Sequence, residues 1–147
     1  MKQGTQLLAV LAAALLLSMQ PARAEDKPYT EATVWTVTLV RVKPGLLDTY
    51  LRELMPMRKK LDDEAKKAGL LMSSHILSGV AANHDDFDVM FLDEFKNWAA
   101  FDGINAKYDA MMEKLIGNEE KRTQVMVKRT DVREITGIKT MQELIPK

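Results

Sequence analysis

The stretch Thr33 to Val42 (TVWTVTLVRV) limits the possible folds more than any other part of the chain. β-Branched and aromatic residues crowd it, and these side chains pack well on a pleated, half-buried surface, so it reads as a strand. Strand side chains alternate between faces. One face carries Val34, Thr36, Thr38, Val40 and Val42, and the other carries Trp35, Val37, Leu39 and Arg41. Both are largely apolar or β-branched, so the strand needs a cover on each side.

Lys43-Pro44-Gly45 ends this strand with no linker: Pro44 fixes φ and Gly45 permits the tight turn. From Leu46 to Lys67, Leu47, Tyr50, Leu51, Leu54, Leu61 and Ala65 recur at helical spacing between charges. Pro56 falls inside this pattern and is expected to kink or interrupt the helix, and Gly69 is a natural stop. Leu70 to Gly79 and Phe87 to Phe95 read as strands joined by the polar turn Ala81 to Asp86, and so as a hairpin. Phe87, Val89 and Phe91 share one face of the third strand, and Met90 and Leu92 share the other.

Asn97 is placed to cap a second helix with Trp98, Phe101, Ile104, Tyr108, Met112 and Leu115 along one face, ended by Gly117. Residues 118–130 read as a short helix, with a strand as the alternative. Val132 to Ile138 reads as the last strand. Residues 25–32 form a flexible lead, 33–139 the domain and 140–147 a C-terminal tail.

The order β-α-β-β-α-(α)-β predicts an α+β, ferredoxin-like domain, a four-stranded antiparallel sheet with its helices on one face. Helices on one face leave the other bare, yet the first and third strands are apolar on both. The economical cover is a second copy of the same sheet, so a homodimer through the helix-free face is expected.

Residues 1–24 stand apart from this plan. Lys2, the apolar run Leu7 to Met19 and the A-x-A site Ala22-Arg23-Ala24 have the form of a secretory signal peptide, too short in its apolar run to span a bilayer. Cleavage after Ala24 would place the protein in the periplasm or outside the cell, with no membrane attachment. The signal holds Lys2 and Arg23 of the 21 basic residues and none of the 21 acidic ones, so the remainder is slightly acidic. That balance does not point to nucleic acid. With no cysteine, disulfides, thiolate metal sites and cysteine nucleophiles are excluded. No nucleotide, zinc-protease, hydrolase or EF-hand motif occurs, so no metal or cofactor is implied by motif.

Three segments carry a resemblance: VRVKPGLLDTYLREL, AKKAGLLMSSHILSG and FDVMFLDEFKNWAAFD. In the order V-x-V-K-x-G, helix, Gly, strand, and an aromatic-rich strand leading to a Trp/Phe helix, the chain resembles the dimeric α/β-barrel superfamily. Within it the likeness is to the antibiotic-biosynthesis-monooxygenase-like branch. It covers about residues 33 to 139. It implies a ferredoxin-like fold, a homodimer and, as one outcome, a cofactor-independent monooxygenase-like activity; no catalytic residue is carried over.

The candidates for chemistry are few. His75, mid-strand in Ser73-Ser74-His75-Ile76-Leu77, could serve as a general base or hold haem, against the plainer reading of a core or interface histidine. Trp35, Phe91, Trp98 and Tyr108 could wall a pocket between sheet and helices for a small apolar or aromatic ligand; aromatics at such spacing also build ordinary core. Arg41 would need a carboxylate such as Asp93, an anionic ligand, or solvent at the strand end. Asn83-His84-Asp85-Asp86 reads as turn chemistry more than as a donor set. Lys121, Arg122, Lys128 and Arg129 read as a solvated, salt-bridged helix surface. The functional expectations are therefore an exported small-ligand-binding protein, catalytic or not, a non-catalytic or stress-related homodimeric module, and haem binding through His75.

Overall fold

The computed structural model describes residues 26–147; the expected signal segment lies outside them. The strands are β1 (Tyr29–Val42), β2 (Ser73–Ser78), β3 (Val89–Phe95) and β4 (Arg133–Pro146). The helices are α1 (Leu47–Lys67), α2 (Ile104–Ile116) and α3 (Glu119–Thr130), with a 3₁₀ turn at Trp98–Phe101 ahead of α2. The strands form one antiparallel sheet in the order β2-β3-β1-β4. The chain leaves β1, crosses through α1 to β2, and returns to lay β3 into the gap between them.

Register decides which side chains share a face. Val40 lies opposite Val89, Thr38 opposite Phe91 and Val34 opposite Phe95, while Ile76 of β2 lies opposite Phe91. This face is the one that the helices cover. Tyr50 and Leu54 of α1 pack on Val40, Val42, Val89 and Phe91, and a second cluster joins Ala65, Leu71 and Phe95 to Phe101 and Tyr108. The other face presents Trp35, Val37, Leu39, Met90 and Leu92, flanked by Leu77 and Met141. No helix of the described residues lies on it. Its central residues are half-buried by their own neighbours, and Leu77 and Met141 are each 53 % exposed.

Several expected boundaries move. The lead and the tail are not loose: β1 starts at Tyr29 and β4 runs to Pro146, because the two segments pair with each other, Thr30 opposite Ile145 and Trp35 opposite Met141. Neither has a strong local strand pattern; each is a strand because the other lies beside it. Pro56 does not interrupt α1, which is continuous from Leu47 to Lys67. Pro56 and Arg52 are both exposed, so the carbonyl that loses its intrahelical donor faces water and needs no other partner.

The second helix is split rather than capped at Asn97, whose side chain makes no capping bond. Gly103 takes φ 65°, a left-handed conformation that breaks the helical hydrogen-bond series, so the 3₁₀ turn precedes it and α2 follows. Residues 118–130 resolve in favour of the helix. The Asn118 side chain accepts from the Lys121 N–H at 3.1 Å, with Glu119 and Glu120 in the first turn and Lys128 and Arg129 in the last, each sign at the end its charge favours. No helix among the described residues is long and apolar enough to cross a membrane.

Candidate functional site

The space between sheet and helices, where a pocket is expected, holds two packed apolar clusters and a charged network. Where a cavity was predicted, Arg58 of α1 reaches down to the sheet and binds Asp93 of β3, Asp62 one helical turn on at 2.9 Å, and the Ser74 hydroxyl at 2.9 Å. Its guanidinium also lies 5.5 Å from the centre of the Phe91 ring. All three charged side chains are largely buried, 15 to 20 % exposed. Two carboxylates on one guanidinium satisfy one another in a low-dielectric place where any one left alone would be costly.

The Tyr108 hydroxyl is pushed up from its ordinary 10.0 to about 12, first by burial and then by the negative charge of Asp93. Folding therefore holds this proton more tightly than the unfolded chain does, so stability falls as pH rises between those two values. Phenolate absorbance on alkaline titration should show a late step that Tyr108→Phe loses. An unchanged late step in that variant would place the shift on another tyrosine.

A real cavity opens at the corner of the fold, where the first strand hands over to the first helix. Four bonds hold this corner together. The Lys43 N–H donates to the Val132 carbonyl at 2.9 Å, and the Val42 N–H donates to the Asp88 carboxylate at 2.9 Å. The Asp88 N–H donates to the Val40 carbonyl at 3.0 Å, and the Arg41 Nε donates to the Asp86 carbonyl at 2.9 Å. The cavity has a volume of about 810 Å³. Arg41 to Pro44 form one wall, Met126, Val127 and Thr130 of α3 a second, Arg133 to Ile135 of β4 a third, and His84 sits at the rim. Val42, Pro44, Met126, Val127 and Ile135 are aliphatic or thioether, and with the stems of the polar residues they make most of the lining surface apolar.

Its polar groups are mostly cations. Arg133 lays its guanidinium 5.8 Å from the centre of the buried Tyr50 ring, and its Nε is buried without a hydrogen-bond partner. Behind it, Arg129 is held below the usual guanidinium range, by burial first and by the neighbouring Arg133 second. Burial raises the Tyr50 hydroxyl, against the pull of Arg133, Arg129 and Arg58. Arg41 has a carboxylate at hand, Glu134 at 3.9 Å, and not Asp93, which Arg58 holds.

The predicted site residues scatter over this framework. Phe91 and Tyr108 lie under the helices; Trp35 and His75 lie on the helix-free face, their rings stacked with centroids 6.3 Å apart. His75 is exposed rather than cored, because β2 is an edge strand and its Ser73/His75/Leu77 face has no helix above it. On that same face Thr33 and Trp35 donate to Glu143 at 2.7 and 3.4 Å, which holds its carboxyl below the usual range, Thr33 chiefly. Trp98 is 53 % exposed on the 3₁₀ turn, its ring tilted against Phe101 with centroids 6.1 Å apart. Of the six, Arg41 alone lines the corner cavity.

His84 belongs to the turn that its neighbours suggested. The Asp85 N–H donates to the Asn83 side chain at 2.9 Å and the Ala82 N–H to the Asp86 carboxylate at 2.8 Å. Lys43, Arg129 and Arg133 carry most of the site's charge; Lys43 lies in the marked strand-to-helix corner, but its charge there does not read as part of a site. Arg129 is expected on a solvated surface, but it is half-buried and reaches the Met57 sulfur of α1 at 3.7 Å. The one available signal was Arg133 opening a β-branched strand directly behind Arg129.

No protein-family model matches the chain, and no curated protein matches it.

Proposed function

We propose that this chain is an exported, homodimeric small-ligand-binding protein with a ferredoxin-like, dimeric α/β-barrel architecture. The corner cavity is its site. The single observation that carries the reading is that cavity: about 810 Å³, mostly apolar walls and a few polar groups, within the size range of small-molecule pockets. Export is supported by Lys2, the run Leu7 to Met19 and Ala22-Arg23-Ala24. The architecture is supported by the position of β3 between β1 and β2 and by the apolar, helix-free sheet face.

Binding is preferred to catalysis here. The haem and general-base readings placed His75 in a pocket between sheet and helices, whereas His75 is exposed on the other face of the sheet; the monooxygenase-like reading came from the resemblance and has no matched residue. The cavity offers guanidinium, amine, thioether and aliphatic groups that hold and orient a molecule, beside the His84 imidazole, the Thr130 hydroxyl and the Glu134 carboxylate.

An uncharged naphthyl fluorophore tests the proposal. It should bind saturably with a blue-shifted emission, and Val127→Trp, which adds bulk at a half-exposed wall position, should weaken it by about tenfold or more. Equal binding by the two proteins would place the probe elsewhere and defeat the assignment of the site.

A further inference from the structure

The corner cavity gathers more positive charge than its surroundings neutralise. Facing it or backing it are Arg41 from β1, Lys43 just after β1, His84 from the turn before β3, Arg129 from α3, and Arg133 and Glu134 from β4. The nearby acids are engaged. Glu134 faces Arg41, the Asp88 carboxylate accepts from the Val42 N–H, and the Asp86 carboxylate accepts from the Ala82 and Phe87 N–H groups. Lys43, Arg129 and Arg133 have no carboxylate within ion-pair distance among the described residues.

A half-buried arginine without a counter-ion is a costly arrangement, and a buried guanidinium N–H without an acceptor adds to it. Arg133 shows both features. Two local effects let it sit there: the face of the Tyr50 ring, and the carboxyl end of α3, which favours cations. Neither supplies an acceptor for the Nε. Meanwhile Val42, Pro44, Met126, Val127 and Ile135 make the remaining walls apolar.

We infer that the corner cavity takes an amphipathic organic anion, with a carboxylate or similar head between Arg133 and Lys43 and an apolar body along Met126, Val127 and Ile135. The planar fork of Arg133 suits a carboxylate in two-point contact, which a single ammonium cannot reproduce. Lys43 stands exposed at the rim and adds attraction that salt screens. This inference rests on the corner cavity being the ligand site.

The probes are dodecanoate, its uncharged counterpart dodecanol, and inorganic phosphate, each titrated calorimetrically into the full mature chain at fixed ionic strength. Dodecanoate should bind saturably and dodecanol roughly tenfold or more weakly, with phosphate alone a poor competitor. Arg133→Gln should weaken dodecanoate by about tenfold and leave dodecanol unchanged, with partial recovery in Arg133→Lys. Lys43→Gln, at an exposed position that does not bear on folding, should weaken dodecanoate by a smaller factor that vanishes at high salt.

Equal affinity for dodecanoate and dodecanol, both lost in Val127→Trp, would overturn the anion preference and leave the cavity standing as a ligand site. Phosphate binding as tightly as dodecanoate would also overturn it, by removing the apolar body. If neither dodecanoate nor dodecanol binds, and the naphthyl fluorophore fails too, both readings fall.

Discussion

Leu92→Arg should turn a dimer into a monomer. Leu92 sits at the centre of the helix-free face, opposite Val37 on β1 and His75 on β2, with Leu39 and Met90 beside it. In an isolated protomer its side chain already meets solvent on one side, so an arginine there can reach water and the sheet keeps its hydrogen bonds. Between two sheets packed face to face, the same arginine and its symmetry mate would be buried close together without a partner. A buried unpaired charge costs about 3 to 5 kcal/mol, and a loss of even 3 kcal/mol raises the dissociation constant by more than roughly a hundredfold.

Size-exclusion chromatography with light scattering at micromolar concentration reads the outcome directly. The unaltered protein is expected at twice the chain mass, and Leu92→Arg at the chain mass, with circular dichroism unchanged. A monomer from the unaltered protein would remove the second sheet as the cover of this face. A dimer that survives the arginine would move the interface to another surface. The expectation follows from Trp35, Val37, Leu39, Met90 and Leu92, an apolar group that one chain leaves half covered.

The second large effect concerns the charged network under α1. Arg58→Met keeps much of the side-chain volume and removes the cation that Asp62 and Asp93 share. Their carboxylates are 15 and 19 % exposed, so neither can turn freely to water. Breaking one partner out of a buried pair costs about 3 to 5 kcal/mol; partial solvent access here argues for the lower end, about 3 kcal/mol. Urea denaturation should show a fall in midpoint at an unchanged slope, the signature of lost stability rather than a changed unfolded state.

Converting the pair as well, in Arg58→Met with Asp93→Leu, should recover a large part of the loss, because apolar groups of similar size need no counter-ion. A loss below about 1 kcal/mol in Arg58→Met would mean that the network behaves as a surface ion pair. The network bears on function too. It occupies part of the space in which a pocket is expected, while the candidate cavity lies at the corner of the fold.

How far the residues themselves announce this arrangement differs between fold and site. The alternation of Thr33 to Val42, the helical spacing of Leu47 to Ala65 and the turn at Asn83 to Asp86 are local patterns. Each reports a period of about two or 3.6 residues that a short segment can show without its neighbours. The ends of the chain were not legible in this way. Thr30 and Ile145 pair across almost the whole sequence, and no local period encodes a partner that distant.

The site fared differently for a related reason. His75 and the aromatic residues stand out by type, but type does not say which face of the sheet the helices will cover. Once α1 packs Tyr50 and Leu54 against Val40 and Phe91, the other parity of β1, β2 and β3 is left outward, and Trp35 and His75 go with it. Arg129 reads as ordinary surface charge, and Arg133 as no more than a strand residue, until the end of α3 and the start of β4 come together beside Tyr50.

By itself the sequence determined the centres of the four strands, the first helix, the order of the elements and the apolar character of both faces of the first strand, because those follow from periodicity and from the aversion of apolar side chains to water. Only the tertiary structure decided where charge gathers without a counter-ion, where a helix and a strand end leave a cavity, and which face stays bare. Those depend on distances between segments far apart in the chain, and no single segment carries that information.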